Sequence, residues 1–289
     1  MRSLLFVPAD SARKLEKAAA CGADALILDL EESVAASAKA AARESAAHYL
    51  RHAPRGLGAP KLIVRVNALD TGLTDADLDA VIAQSPDAIM LPKACGGADI
   101  QHVSVKIAVR EAEGNLADGT IRVLPIITET AQSLFEMGSY RGASHRLHAM
   151  TWGAEDLATD IGAETNRLED GQYTPPFMLA RNLMLFAAAS AGVDAIDTIF
   201  ANFRDGAALE RECRAARRDG FSGKMAIHPD QVAIINAVFS PAPEEIARAQ
   251  KIVAAFAENP DAGVLGIDGE MIDRPHLVKA QRTLARVAI

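Results

Sequence analysis

Short apolar, β-branched runs alternate with longer alanine-rich amphipathic stretches along almost the whole chain. The runs predict strands over Ser3–Pro8, Ala25–Leu30, Leu62–Val66, Ala88–Leu91, Arg122–Thr128, Ala149–Trp152, Ala195–Ile199 and Lys224–Ile227. Between them the helical period predicts Ser11–Cys21, Ala38–Leu50, Asp75–Gln84, Asp99–Glu113, Gln132–Tyr140, Pro176–Ala191 and Ala207–Asp219. Ser11 and Asp99 stand where N-caps belong, and Thr74 precedes Asp75 and Asp77 in a first turn. Gly22 and Gly220 fall where helices should stop.

Eight such units predict parallel strands joined by helical crossovers, and eight in series favour a closed (β/α)₈ (TIM) barrel over an open sheet. An open dinucleotide-binding sheet has a glycine-rich first βα turn, whereas this one reads VPADSARK. Past the eighth strand, Gln231–Phe239 and Pro243–Ala257 read as helices, followed by NPDAGVLGIDGEMIDRP and a last helix from Pro275. The glycine-rich piece reads as a lid or exchange arm. The expected organisation is a barrel over residues 1–240 and a helical arm over 241–289 that is not an independent domain.

Composition narrows the function classes. Of 289 residues, 49% are hydrophobic, enough for one large core, and a net charge of −8 argues against non-specific nucleic-acid binding. Cys21, Cys95 and Cys213 form no CxxC or Cys/His ligand spacing, which is the usage of a reducing compartment. The apolar run before Pro8 is too short for a signal peptide, and no stretch reaches membrane-spanning length. A cytoplasmic protein without membrane partners is expected.

Barrel chemistry sits at the C-terminal ends of the strands. There the chain places Asp29, Glu31 and Glu32, then Arg65 and Asn67, then Lys93, Glu129, Glu155 and Asp156, Asp197 and His228. Carboxylates converging with cations on one rim suit a hard divalent ion and an anionic substrate. Zinc is disfavoured because neither HxH nor HExxH occurs. Asp29 is readable either as a cap for the segment after it or as the partner of Arg65. Asp197 reads as a supporting residue, His228 as a turn residue beside Pro229, and Trp152 and Tyr173 as packing.

Taken in order, RSLLFVPA at Arg2–Ala9, LILDLEESV at Leu26–Val34, VRVN at Val64–Asn67 and LPKA at Leu91–Ala94 form a recognisable series. ITETA at Ile127–Ala131, WGAEDL at Trp152–Leu157, GKMAIHPDQV at Gly223–Val232 and DGEMIDRP at Asp268–Pro275 complete it. The chain resembles the citrate lyase β-subunit/malyl-CoA lyase family over nearly its whole length. The resemblance implies Glu129 and Asp156 as ligands of Mg²⁺, with Mn²⁺ as a substitute. It implies Arg65 as the arginine that holds and polarises substrate oxygens beside Glu129. It further implies Asp273 as an acid–base group on the C-terminal arm and, more loosely, Lys17 as a basic group near the ligand mouth. One departure is Glu32, where the family more often has aspartate.

The implied reaction is reversible cleavage of a β-hydroxyacyl thioester, on CoA or on a carrier, to a thioester enolate and an α-keto acid. Asp273 would exchange a proton with the acyl carbon, for which burial under a closing arm should raise its pKa. A homo-oligomer, a trimer or a multiple of it, is implied, with carrier-protein or lyase-complex subunits as further partners. The alternatives are a malyl-CoA-type thioesterase, a subunit of a carrier-dependent citrate lyase, a non-catalytic binding barrel, and an aldolase of free acids.

Overall fold

A computed structural model describes residues 1–287 of the chain, so the last two residues of the expected arm lie outside it. Eight parallel strands follow the expected order: β1 (Ser3–Pro8), β2 (Ala25–Asp29), β3 (Lys61–Arg65), β4 (Ala88–Leu91), β5 (Arg122–Pro125), β6 (Ala149–Thr151), β7 (Asp194–Asp197) and β8 (Gly223–Ala226). The sheet runs β5-β4-β3-β2-β1-β8-β7-β6. Parallel bridges Val123↔Leu147 and Ile126↔Thr151 join its two ends, so the strands form a nearly closed barrel. The helices are α1 (Ala12–Ala19), α2 (Lys39–His52), α3 (Thr74–Val81), α4 (Gly97–Glu113), α5 (Glu155–Asp160), α6 (Pro175–Ala191), α7 (Gly206–Asp219) and α8 (Pro229–Phe239).

Strand side chains alternate between two faces, and here both faces are buried, which is why the strands read as unbroken apolar runs. Leu4, Ala25, Ile27, Ile63, Met90, Leu124, Ile196 and Met225 fill the barrel interior. Their neighbours Leu5, Leu26, Leu28, Leu62, Val64, Ile89 and Val123 pack outward against the helices. Asp29 continues the inward parity of Ala25 and Ile27, and Arg65 that of Ile63, so both emerge at the mouth. Asp197 and Lys224 have the outward parity. They lie in the strand–helix layer, where Lys224 Nζ donates to Asp197 Oδ2 at 2.8 Å and to Glu212 Oε1 at 2.7 Å. The expectation that Asp197 belongs to the rim is corrected by this parity.

Three local expectations also change. Gln132–Tyr140 is a 3₁₀ helix rather than an α-helix. Asp99 lies inside the first turn of α4 and accepts the Cys95 N–H at 2.8 Å, while the cap position is Gly96. The six-residue α5, which carries Glu155 and Asp156, was not expected.

Beyond the barrel, α9 (Pro243–Glu258) and α10 (Arg274–Ala285) pack around β9 (Val264–Ile267) and β10 (Glu270–Asp273). The two strands form an antiparallel hairpin over Asp268–Gly269, both at positive φ (52° and 80°), as a two-residue turn of this kind requires. Ala249, Ile252, Phe256, Ile272 and Ala280 form a small core of their own. The arm is thus a hairpin between helices, with its own packing.

The pairing of β8 with β1 leaves no room at Gly223. A Cβ there would stand 2.4 Å from the Met1 carbonyl oxygen and 2.5 Å from that of Arg2. Gly223→Ala is expected to cost about 2 kcal/mol or more, because the backbone at Met1 and Arg2 must move. Urea denaturation monitored by circular dichroism measures this directly.

Candidate active site

A cavity of about 420 Å³ opens at the C-terminal mouth of the barrel, lined by Phe6, Asp29, Glu32, Arg65, Ile126, Glu129, Gly153, Asp156, Met225 and neighbours. Arg65 closes one wall. Its Nε and Nη2 donate to the two oxygens of Asp29, each at 2.7 Å, and its guanidinium lies 4.8 Å from the centre of the Phe6 ring. Nη1 stands 3.0 Å from Glu31 Oε2. Of five guanidinium N–H groups, Asp29 takes two and Glu31 faces a third, so donors remain for a ligand. Asp29 does both things open to it. While pairing with Arg65 it also accepts the N–H groups of Glu31 (2.9 Å) and Ser33 (3.1 Å), which fixes the turn after β2. Burial would raise its pKa, but the Arg65 bonds prevail and hold its carboxyl below the usual range.

Opposite lie Glu129 and Asp156, on loops pinned to each other. The Gly153 N–H donates to Thr128 Oγ1 at 3.0 Å, and that hydroxyl donates to the Gly153 carbonyl at 3.1 Å. The Ala131 N–H donates to Asp160 Oδ2 at 2.6 Å, tying the segment after Glu129 to the end of α5. Gly153 sits in close approach to Glu129: a Cβ would stand 3.0 Å from Glu129 Cγ and 3.2 Å from its Oε1, so that side chain would have to shift by a few tenths of an ångström. Glu129 is 5% exposed and accepts the Lys93 N–H at 2.5 Å. Burial, with the Asp156 and Glu31 charges added, pushes its carboxyl up to about 8. Asp156, in the first turn of α5, goes the other way. Burial opposes its charge, but the Lys93 ammonium 3.1 Å away outweighs this and lowers its pKa.

Lys93 is the member that sequence reasoning left without a role. Its ammonium also lies 3.0 Å from both Glu31 Oε1 and Glu32 Oε1. The LPKA context carries no signal for this, because the contacts depend on a left-handed backbone (φ 52°) at a residue type that seldom adopts it. Gly153 was equally silent, since its close approach to the Glu129 side chain is a property of the fold.

Two expected site residues do not line the cavity of their own chain. Lys17 is exposed in the last turn of α1. That helix runs back towards the N-terminal ends of the strands, so its last turn points away from the mouth. Asp273 does not line the cavity of its own chain. It caps α10, accepting the His276 N–H at 3.4 Å, and its carboxylate lies 2.5 Å from His276 Nδ1. The bond to His276 holds its carboxyl below the usual range, the reverse of the shift expected from burial. His228 caps α8 and stacks on Phe203 with ring centres 4.7 Å apart. Trp152 is fully buried, donates to Asp197 Oδ1 at 2.8 Å and meets Tyr173 edge-on.

The site suits a hard divalent ion. Among the described residues no three carboxylate, imidazole or thiol groups converge on one point. Mg²⁺ commonly takes only one or two protein carboxylates and keeps water on its other positions. Glu129 and Asp156 supply two, held by neighbouring loops, and beside them the buried Glu31 Oε2 has no directed hydrogen bond. Among the described residues, no helix is long and apolar enough to cross a membrane.

Comparison with known proteins places this geometry. Residues 2–229 match the family described as HpcH/HpaI aldolase/citrate lyase, and residues 178–289 match one described as a C–C bond lyase of the TIM-barrel fold. The citrate lyase subunit beta of Leuconostoc mesenteroides subsp. cremoris is 34% identical over 98% of this chain and 92% of its own length. A (3S)-malyl-CoA thioesterase of Cereibacter sphaeroides is 37% identical over 99% of this chain and 94% of its own. The crystal structure of protein CitE from Mycobacterium tuberculosis, in complex with magnesium, acetoacetate and coenzyme A, superposes with a TM-score of 0.76. That pair is 31% identical, covering 100% of this chain and 98% of the other. With its eight-stranded barrel, its motifs in order and matches of this extent, the chain belongs to the HpcH/HpaI aldolase/citrate lyase family.

Proposed function

We propose that the chain is a Mg²⁺-dependent lyase that reversibly cleaves a β-hydroxyacyl-CoA to an acyl-CoA and an α-keto acid. The observation that carries this is the convergence of Arg65, Glu129 and Asp156 on one cavity at the barrel mouth. The magnesium, acetoacetate and coenzyme A held by the Mycobacterium tuberculosis relative support the ligand classes. Held by Glu129 and Asp156, Mg²⁺ would supply a Lewis acid for the oxygens of the keto acid.

The remaining work falls to the chain's own groups. Arg65, fixed by Asp29, offers its free N–H groups to the oxygen on which negative charge develops; losing one such donor costs roughly 10²–10³ in rate. In cleavage, the bond between the hydroxyl-bearing carbon and the acyl α-carbon breaks. Its electron pair passes into the thioester enolate, the hydroxyl proton departs, and the enolate carbon takes up a proton. Asp273 fits that last exchange, as acid in cleavage and base in condensation. Since it does not line its own chain's cavity, the proposal has it enter the site of a neighbouring subunit within a homo-oligomer. Lys17 has no part in this reading.

The lining also bears on substrate choice. Arg65 is the one cation among the described lining residues, the nearby Lys93 ammonium being taken up by Glu31, Glu32 and Asp156, and Phe6, Ile126 and Met225 supply apolar wall. A keto acid with a second carboxylate would leave that charge unpaired against this wall, which is costly. Glyoxylate- and pyruvate-type products are favoured over oxaloacetate. The thioesterase relative favours a second reading, in which the same cavity serves hydrolysis of the thioester.

Purified protein with Mg²⁺ and malyl-, β-methylmalyl-, citramalyl- and citryl-CoA, followed for keto acid and free thiol separately, tests this. Keto acid without thiol is expected, abolished by EDTA and by Asp156→Ala, with kcat/KM for citryl-CoA at least about tenfold below the best substrate. Thiol without keto acid would establish the hydrolase instead, and silence on every ester would remove both readings.

Glu129 adds a pH dependence. Its carboxyl, near 8 in the folded protein against an ordinary 4.5, favours folding below about pH 4.5, and that contribution is lost as pH rises towards 8. In EDTA, Glu129→Gln is therefore expected to gain stability relative to the unaltered chain between pH 5 and pH 8. Urea denaturation across that range, showing parallel curves, would refute the shift.

A further inference from the structure

We infer that Lys93 is a resident counter-ion of the metal position: it holds the acidic cluster assembled before the metal arrives, competes with the ion for Asp156, and thereby sets the metal affinity of the site. The inference rests on the assignment of Glu129 and Asp156 as the metal's ligands. It concerns a residue to which neither the family motifs nor the proposed reaction gives a role.

Three independent observations meet at this residue. Its backbone is left-handed, with φ of 52°, which is unfavourable for a side chain other than glycine or asparagine and persists only where surrounding contacts enforce it. The enforcing contacts are at both ends of the residue. The main-chain N–H donates to Glu129 Oε2, while the ammonium reaches Glu31 Oε1 and Glu32 Oε1 at 3.0 Å and Asp156 Oδ2 at 3.1 Å. Lys93 thus touches both proposed ligands at once, one through its backbone and the other through its side chain.

The second observation is the charge balance. Glu31, Glu32, Glu129 and Asp156 surround the position, while Arg65, paired with Asp29, reaches only Glu31 at 3.0 Å and Glu32 at 3.7 Å through Nη1. Without Lys93, Asp156 would have no cation partner among the described residues, and Glu32 only Arg65 Nη1 at 3.7 Å. The third is Glu31 Oε2, buried and without a directed hydrogen bond: Arg65 Nη1 stands 3.0 Å away but makes no directed bond to it, and the carboxylate meets Lys93 through its other oxygen. The cluster therefore keeps one buried acceptor that faces a resident cation without a directed bond, beside the two proposed ligands.

A divalent ion on Asp156 and an ammonium on the same carboxylate repel each other at short range, and partial burial screens this repulsion poorly. Lys93 must then withdraw from Asp156, keeping Glu31 and Glu32, when the ion binds. Removing its charge should strengthen metal binding, even though it loosens the metal-free cluster. A lysine of purely structural value predicts the opposite, since a disordered cluster binds more weakly.

Isothermal titration of the metal-free full-length protein with MgCl₂ and MnCl₂ distinguishes the two. Lys93→Met is expected to bind about tenfold more tightly or better, and to show a larger Mg²⁺-induced rise in Tm than the unaltered chain, while Lys93→Arg keeps the charge and stays near the original affinity. A folded Lys93→Met that binds no more tightly overturns the inference and leaves the metal assignment standing. Absence of binding by the unaltered chain overturns both. Should Lys93→Met not fold without metal, crystal structures of the unaltered protein in EDTA and in Mg²⁺ decide. The Lys93–Asp156 pair is expected to open when the ion is bound, and its persistence beside an ion on Asp156 would overturn the inference.

Discussion

Asp29, Glu31, Glu32, Glu129 and Asp156 can share one barrel mouth only because positive charge is fixed among them. Arg65 and Lys93 supply it from adjacent strands, and each is restrained in a way that keeps it there. Arg65 is clamped in a bidentate pair with Asp29, which is itself held by two backbone N–H groups. Lys93 is held in a left-handed backbone. The consequence is a division of protonation states within a few ångströms. Burial pushes Glu129 up to about 8, whereas the cations hold Asp29 and Asp156 below the ordinary range. A metal arriving at Glu129 and Asp156 would have to displace a proton from one and an ammonium from the other.

The barrel makes this arrangement rigid through parity. Inward positions carry apolar groups in the lower layers and charged groups only at the mouth, so the polar cluster rests on a dry plug that includes Ile27, Ile63, Leu124 and Met225. Outward positions on β7 and β8 carry a second, separate set of charges. Asp197 there is shared among Trp152 Nε1, Lys224 Nζ and Arg181. Trp152 immediately precedes Gly153, so the outer network anchors the chain where it turns to face Glu129. Such a buried network costs desolvation, and its value lies in fixing one arrangement of the loop rather than in net stability.

The barrel was legible because its signal is redundant. All eight strands announce themselves as short apolar runs, and small errors at their ends, such as the extension of the fifth to Thr128, do not alter the topology. Asp29, Arg65, Glu129 and Asp156 were legible because they follow those runs directly. What escaped depends on three-dimensional approach. The bond from the Lys93 backbone to Glu129 and the close approach of Gly153 to the Glu129 side chain leave no trace in a single sequence. The hairpin of the arm is a different case. VLGI-DG-EMID holds an Asp-Gly turn between alternating residues, the local signature of a two-residue hairpin, but the glycines around it suggested an irregular arm.

The placement of Asp273 bears on how one cavity could serve two reactions. In its own chain the residue caps α10 beside His276, half-buried and readily ionised. A carboxylate in that state can take a proton from carbon but has none to give. Carbon–carbon cleavage needs a donor to the enolate, and burial is the ordinary means of raising a carboxyl far enough to act as one. On the proposed reading, the neighbouring subunit's cavity must supply that burial, with the arm acting as a cover as well as a carrier of the group. Hydrolysis makes the contrary demand, since water must reach the thioester carbonyl. Whether such a site cleaves carbon–carbon bonds or thioesters would then turn less on the cations and carboxylates of the mouth than on how completely the arm excludes water when it closes.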